Sequence, residues 1–130
     1  NHRFGLFDMI MIKDNHLAAL AGSGPNPVAA GIRRARRRFP KLRVEVEADN
    51  LEQVAQAADA GADIILLDNM SLTDLREAVR IVNGRSKTEA SGGVNLRSVR
   101  GIADTGVDFI SVGAITHSVK SIDIGLDFAT

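Results

Sequence analysis

Cysteine, tryptophan and tyrosine are all missing from the 130 residues, and proline occurs only three times. Without cysteine there is no disulfide framework, no thiolate nucleophile and no cysteine-ligated zinc or iron–sulfur centre. A reducing, cytoplasmic setting fits such a chain. An excess of one charge is missing too, because 16 Lys+Arg balance 16 Asp+Glu. No net field therefore exists to hold nucleic acid or an anionic membrane along a broad surface. The longest apolar runs, such as Ile64-Ile65-Leu66-Leu67, fall far short of the roughly 18 residues that suggest a membrane span. No stretch reads as a signal peptide. What remains, 45% hydrophobic and 25% charged, is enough for a globular chain with a real core.

Five short apolar or β-branched runs predict strands at Met9–Ile12, Leu42–Val46, Ile64–Leu67, Lys87–Ala90 and Phe109–Val112. Helical spacing predicts helices over Pro27–Phe39, Leu51–Ala60, Leu72–Val82 and Leu96–Thr105. Asp49-Asn50 and Ser71 have the character of helix N-caps. Ala60-Gly61-Ala62-Asp63 and Thr105-Gly106-Val107-Asp108 each set a glycine just past a helix and turn the chain into the next strand. Strict β-α alternation specifies a parallel sheet with right-handed crossovers. From the second strand the repeat is about 22 residues, the spacing of a tight (β/α) barrel rather than an open doubly wound sheet. A complete eight-stranded barrel needs about 250 residues. The fold class expected is thus α/β, a partial parallel, TIM-like barrel cut from a larger fold. With two uncovered edges, the piece on its own is expected to associate or to be partly molten.

Chemistry in such barrels sits at the carboxyl ends of the strands, and here those ends are polar. Lys13-Asp14-Asn15-His16 follows the first strand, and a lysine after Met-Ile-Met-Ile is costly to desolvate unless it faces an anion. A solvated strand-end lysine is the plainer alternative. Glu45 and Glu47 share one face of the second strand, with Val44 and Val46 on the other. If the valines meet the helix layer, both glutamates point into the barrel, toward a cation, a hydroxyl-rich ligand or an internal salt bridge to Lys13. Asp68 repeats this logic, unless Asp68-Asn69 merely caps the next helix. Ser91-Gly92-Gly93 can present backbone N–H groups to a phosphate, or serve as ordinary turn chemistry. Gly113-Ala114 after the next strand strengthens the phosphate reading, because adjacent late-strand loops form the usual barrel phosphate site. His117 can reach the same phosphate or stand as an exposed loop histidine. His2-Arg3 alone reads as a frayed terminus, and Arg33, Arg34, Arg36, Arg37 and Arg38 as a solvated helix face or subunit contact. No His-x-x-x-His pair and no Gly-x-Ser-x-Gly elbow occurs, so carboxylates favour at most a hard ion such as Mg²⁺ shared with substrate phosphates.

Six segments in order, His2–Asp8, Ile12–His16, Val44–Glu47, Leu66–Asn69, Glu89–Gly93 and Gly106–Ser118, resemble the quinolinate phosphoribosyltransferases, the carboxylating nicotinate-nucleotide pyrophosphorylases. The resemblance implies an enzyme of NAD biosynthesis converting quinolinate and phosphoribosyl pyrophosphate, with Mg²⁺, to nicotinate mononucleotide, pyrophosphate and carbon dioxide. It implies an incomplete, seven-stranded α/β barrel preceded by an α/β sandwich domain, of which this chain is similar to only the later barrel part, without the sandwich and the first barrel strand. It also implies a homo-oligomer, a dimer or a hexamer, in which a neighbouring subunit completes the active site, so that the piece on its own is expected to lack activity. His2, Arg3 and Lys13 would grip the quinolinate carboxylates. Glu47 and Asp68 would hold the ribose hydroxyls and the Mg²⁺-pyrophosphate side, making Lys13, Glu47 and Asp68 the catalytic set. Ser91, Gly92, Gly93, Gly113 and Ala114 would take the 5′-phosphate, with His117 close by. Glu45 and Glu89 would be supporting carboxylates that orient Lys13 or the loops. The rivals are a paralogous phosphoribosyltransferase with another acceptor and a non-catalytic phosphate-binding piece.

Overall fold

A computed structural model of the chain describes residues 8–20, 22, 24 and 26–115. Five strands, β1 (Met9–Ile12), β2 (Arg43–Ala48), β3 (Ile64–Asp68), β4 (Lys87–Ser91) and β5 (Phe109–Ile110), form one sheet whose spatial order follows the chain order. Every neighbouring pair is parallel. Helices α1 (Asp14–Ala19), α2 (Pro27–Arg38), α3 (Leu51–Asp59), α4 (Leu72–Val82) and α5 (Val99–Ala103) occupy the connections. Right-handed crossovers between sequential neighbours put all helices on one face. The strand order never reverses, as it would at the switch point of a doubly wound sheet. This is the arrangement of a barrel wall. Among the described residues no helix is long and apolar enough to cross a membrane.

Alternation along the strands decides what each face carries. Ile12, Val44, Val46, Ala48, Ile65, Leu67 and Ala90 face the helices, where they join Val28 and Ile32 of α2, Val54, Ala57 and Ala58 of α3, Leu75, Ala78 and Val82 of α4, and Ile102 of α5. The helix residues stand three or four apart, so each helix buries one stripe. The opposite, concave face takes Met9, Met11, Glu45, Glu47, Ile64, Leu66, Asp68, Glu89 and Ser91. β3 is buried on both faces from Ile64 to Leu67, as expected of a central parallel strand. Asn26, Asn50 and Ser71 cap α2, α3 and α4, each accepting from the backbone N–H three residues on. On α2, Arg33, Arg34, Arg37 and Arg38 are exposed, while Arg36 donates to the Gly61 carbonyl and pairs with Asp63 at 3.1 Å.

Several elements differ from their sequence-based bounds. β2 continues two residues beyond Val46, because Ala48 extends the apolar outer row. α5 covers only half of Leu96–Thr105: the Asn95 side chain accepts from the Arg97 and Ser98 N–H groups and holds that stretch in a turn. Leu96 is left 96% exposed. β5 ends at Ile110, and the chain then bends into a 3-10 turn at Gly113–Ile115. α1 appears where only a polar strand end was expected. Asn69 takes a left-handed conformation (φ 51°) and Ser71 is the cap of α4, so Asp68-Asn69 does not cap that helix.

The two glycine turns end in a repeated lock. Gly61 and Gly106 both have positive φ, 76° and 90°. Each delivers an aspartate two residues later to the N-terminal rim of the sheet. Asp63 Oδ2 accepts the Val44 N–H at 2.8 Å, and Asp108 Oδ2 accepts the Thr88 N–H at 2.9 Å. Asp108 also receives the Thr88 hydroxyl and Lys87 Nζ, at 3.1 and 2.7 Å. Burial works against its charge, yet the Lys87 hydrogen bond, the Thr88 backbone and hydroxyl donors and the Lys87 charge hold its pKa below the ordinary carboxylate range. A lowered folded-state pKa contributes stability that is fully present above the unfolded value of about 3.9 and is lost as pH falls through the folded value. Asp108→Asn is therefore expected to cost on the order of 1 kcal/mol at neutral pH. The gap to the parent should close as the solution is acidified below about pH 4. Urea unfolding at neutral and acid pH checks both halves, and an equal loss at both would rule out the charge.

Candidate active site

The polar residues gather at the C-terminal rim of the sheet. Lys13 is the first residue beyond β1 and the N-cap of α1, and its backbone N–H donates to His16 Nδ1 at 3.0 Å. Register sets Met11 beside Glu45, so Lys13 stands beside Glu47 two residues further along. Its Nζ lies 3.6 Å from Glu47 Oε2, with the lysine side chain half exposed and the glutamate 17% exposed. Such a partly solvated pair contributes at most about 1 kcal/mol. Lys13 can therefore exchange it for a ligand anion at small cost. The salt bridge foreseen for Lys13 thus forms with Glu47, while Glu45 sits one step deeper, fully buried.

Glu47, Asp49 and Asp68 converge, each offering a carboxylate oxygen within 4.8 Å of the others. From the sequence, Asp49 has only the character of a helix cap. Asn50 fills that role alone, its Oδ1 accepting the Gln53 N–H at 3.0 Å, while the Asp49 N–H donates to Gln53 Oε1 at 2.7 Å. The Asp49 carboxylate is left to the rim. The signal is present in the spacing: Glu45 and Glu47 share one face of β2, and Asp49, just past its end, continues the same alternation.

Asp68 ends β3, where its Oδ2 accepts from Asn69 Nδ2 at 2.8 Å. The Asn69 N–H donates to the Ser91 carbonyl at 2.9 Å, which stitches the end of β3 to the end of β4. Gly92 fits against this stitch. A Cβ there would stand 2.1 Å from Asn69 Oδ1 and 2.9 Å from Asn69 N, and φ is +91°, so only glycine serves on both counts. Gly93 also has positive φ, and its Cα faces open space. Just past β5, Ser111 donates its hydroxyl to Glu89 Oε1 on β4, a contact between residues 22 apart that no local pattern in the sequence marks. Gly113 follows two residues later. A mostly apolar groove is lined by Val94, Leu96, Val99, Val112 and Ile115, together with Asn95 and Arg97.

The structure thus brings Lys13, Glu47 and Asp68 to one rim with Ser91, Gly92, Gly93 and Gly113 beside them. Ala114 lies in the turn after Gly113. His2, Arg3 and His117 lie outside the described residues. In chemical terms the rim offers one ammonium group, three clustered carboxylates and two neighbouring glycine loops, a set suited to a polyanionic substrate that carries hydroxyls.

The family model described as quinolinate phosphoribosyl transferase, C-terminal domain, matches residues 1–127. A probable nicotinate-nucleotide pyrophosphorylase (carboxylating) of Bacillus subtilis (strain 168) is 45% identical over 128 residues, covering 98% of this chain and 43% of its own length. The chloroplastic nicotinate-nucleotide pyrophosphorylase (carboxylating) of Arabidopsis thaliana is 44% identical, over 100% of this chain and 41% of its own length. The solved structure of the nicotinate-nucleotide pyrophosphorylase from Francisella tularensis superposes with a TM-score of 0.80 at 45% identity, covering 95% of this chain and 41% of that one. The chain spans about two fifths of the length of these relatives. Matched over nearly its whole extent by that family model and by relatives of this identity, the chain belongs to the quinolinate phosphoribosyl transferase family.

Proposed function

We propose that the protein to which this chain belongs transfers the phosphoribosyl group of phosphoribosyl pyrophosphate to quinolinate and decarboxylates the product. The observation that carries this reading is the placement of Lys13, the Glu47–Asp49–Asp68 carboxylates and the Gly92-Gly93 and Gly113 loops on one rim. Each group suits one part of the reactants. Lys13, with His2 and Arg3, pairs with the two quinolinate carboxylates. Glu47 and Asp68 accept hydrogen bonds from the ribose hydroxyls. Ser91, Gly92, Gly93, Gly113 and Ala114 hold the 5′-phosphate through backbone donors, with His117 beside them.

In the transfer, the pyridine nitrogen forms a bond to the anomeric carbon as the bond from that carbon to the pyrophosphate oxygen breaks. The carboxylates of Glu47 and Asp68 stabilise the positive charge that develops on the ribose. The ring nitrogen, now cationic, stabilises the carbanion left on the neighbouring ring carbon when its carboxylate departs as carbon dioxide, and that carbon then takes up a proton. Lys13 orients the acceptor and balances the charge of the carboxylate that stays.

The donor set fits Mg²⁺. Glu47, Asp49 and Asp68 supply only hard oxygen atoms, close enough together to share one ion, and no nitrogen or sulfur ligand stands among them. When bound, Mg²⁺ would neutralise pyrophosphate charge as that group leaves. The five described strands continue, in this reading, into an incomplete seven-stranded barrel. Its active site is completed by a sandwich domain and by a neighbouring subunit of a dimer or hexamer.

Three outcomes test the proposal in the full-length protein. Given phosphoribosyl pyrophosphate and Mg²⁺, it should form nicotinate mononucleotide and carbon dioxide from quinolinate and not use nicotinate. Turnover of nicotinate would move the function to a paralogue, and turnover of neither would leave a binding role. Arg3→Ala should abolish quinolinate binding while sparing phosphoribosyl pyrophosphate, as read by calorimetric titration of each; equal weakening of both would refute the assigned role. Gly92→Ala should weaken phosphoribosyl pyrophosphate binding by about tenfold or more, given the close approach of Asn69 and the positive φ. Unchanged affinity would remove the phosphate from that loop.

A further inference from the structure

The two glycine loops at the proposed phosphate position follow strands of unequal footing. Gly92-Gly93 continues β4, which has five residues and is paired on both sides. The Gly113–Ile115 turn continues β5, which adds only Phe109 and Ile110 to the ladder and is an edge of the described sheet. Two ladder positions leave the outgoing end of such a strand poorly fixed. Its incoming end is fixed by Asp108, through Thr88 and Lys87. At the outgoing end Ser111 makes two bonds to β4: its N–H donates to the Ala90 carbonyl at 2.9 Å, and its hydroxyl donates to Glu89 Oε1.

Glu89 is only 4% exposed. A carboxylate this deep is costly to desolvate, and a local use offsets that cost best. Glu89 stands three residues before Gly92, and Ser111 two residues before Gly113, so their bond joins β4 to the chain leaving β5 just ahead of the two loops. We propose that Ser111 is a positioning residue which, through Glu89, holds the Gly113 turn in register with the Gly92-Gly93 loop so that both address one phosphate group. The inference rests on the phosphoribosyl reading above for the identity of that phosphate.

The test uses the full-length protein with Ser111→Ala, Glu89→Gln, Glu89→Ala and the Ser111→Ala/Glu89→Ala pair. Ser111→Ala should raise KM for phosphoribosyl pyrophosphate about five- to tenfold. KM for quinolinate should stay within about twofold, a split that general destabilisation would not produce. Glu89→Gln keeps an oxygen that can accept the hydroxyl and should stay close to the parent. Glu89→Ala should match Ser111→Ala, and the double variant should be no worse than either single change. In the ligand-free protein, Ser111→Ala should speed amide hydrogen exchange in both loops, at 92–94 and 112–115. An unchanged KM for phosphoribosyl pyrophosphate, an equal rise for both substrates, or Glu89→Gln as damaging as Glu89→Ala would overturn the proposal. If the parent itself does not use phosphoribosyl pyrophosphate, the phosphoribosyl reading fails. Hydrogen exchange still decides the pair separately: faster exchange in both loops supports it and unchanged exchange refutes it.

Discussion

Right-handed connection between strands that are neighbours in both chain and space allows helices on one side of the sheet only. The other arrangements follow from this constraint. Val44, Val46 and Ala48 must turn outward to meet the helices, and the residues between them, Glu45 and Glu47, are thereby committed to the concave side. The same parity sends Lys13, Asp68, Glu89 and Ser111 inward. A one-residue slip in any strand would exchange an apolar row for a charged one. The apolar packing of the outer face therefore fixes the register on which the rim depends.

The rim itself combines groups that are individually weak. A half-exposed ion pair, a few carboxylates in partial contact with water and two glycine turns contribute little to folding. Stability comes from elsewhere: the apolar layer between sheet and helices, the caps at Asn26, Asn50 and Ser71, and the aspartates that close the opposite rim. The fold does not rely on the Lys13–Glu47 pair, so either side chain can change partner at small cost.

How far the sequence reveals this depends on the range of the interaction. Strands with β-branched alternation, and helix starts such as Asn50 and Ser71, are set by neighbours a few residues away and were visible directly. The pairing of Lys13 with Glu47 follows from a register that no single segment states. Asp49 was hidden because asparagine and aspartate both cap helices, and only the geometry shows that Asn50 takes the bond. The helix expected at Leu96–Thr105 shrank because one side chain, Asn95, competes for the backbone donors that would start it. α1 has six residues, too few for an apolar period to show. The Ser111–Glu89 bond joins residues 22 positions apart and carries no local signature at all.

The repeated aspartate lock, Asp63 onto Val44 and Asp108 onto Thr88, has a further meaning. Two of the four strand pairs, β2–β3 and β4–β5, carry this fastener, and both set it on the N-terminal rim, opposite the polar groups. Alignment of those pairs is thus settled at sites away from the polar rim. Loops on the opposite rim can lengthen, shorten or exchange side chains while the staves beneath them stay aligned, which gives a wall of this kind room to acquire new chemistry without first being rebuilt.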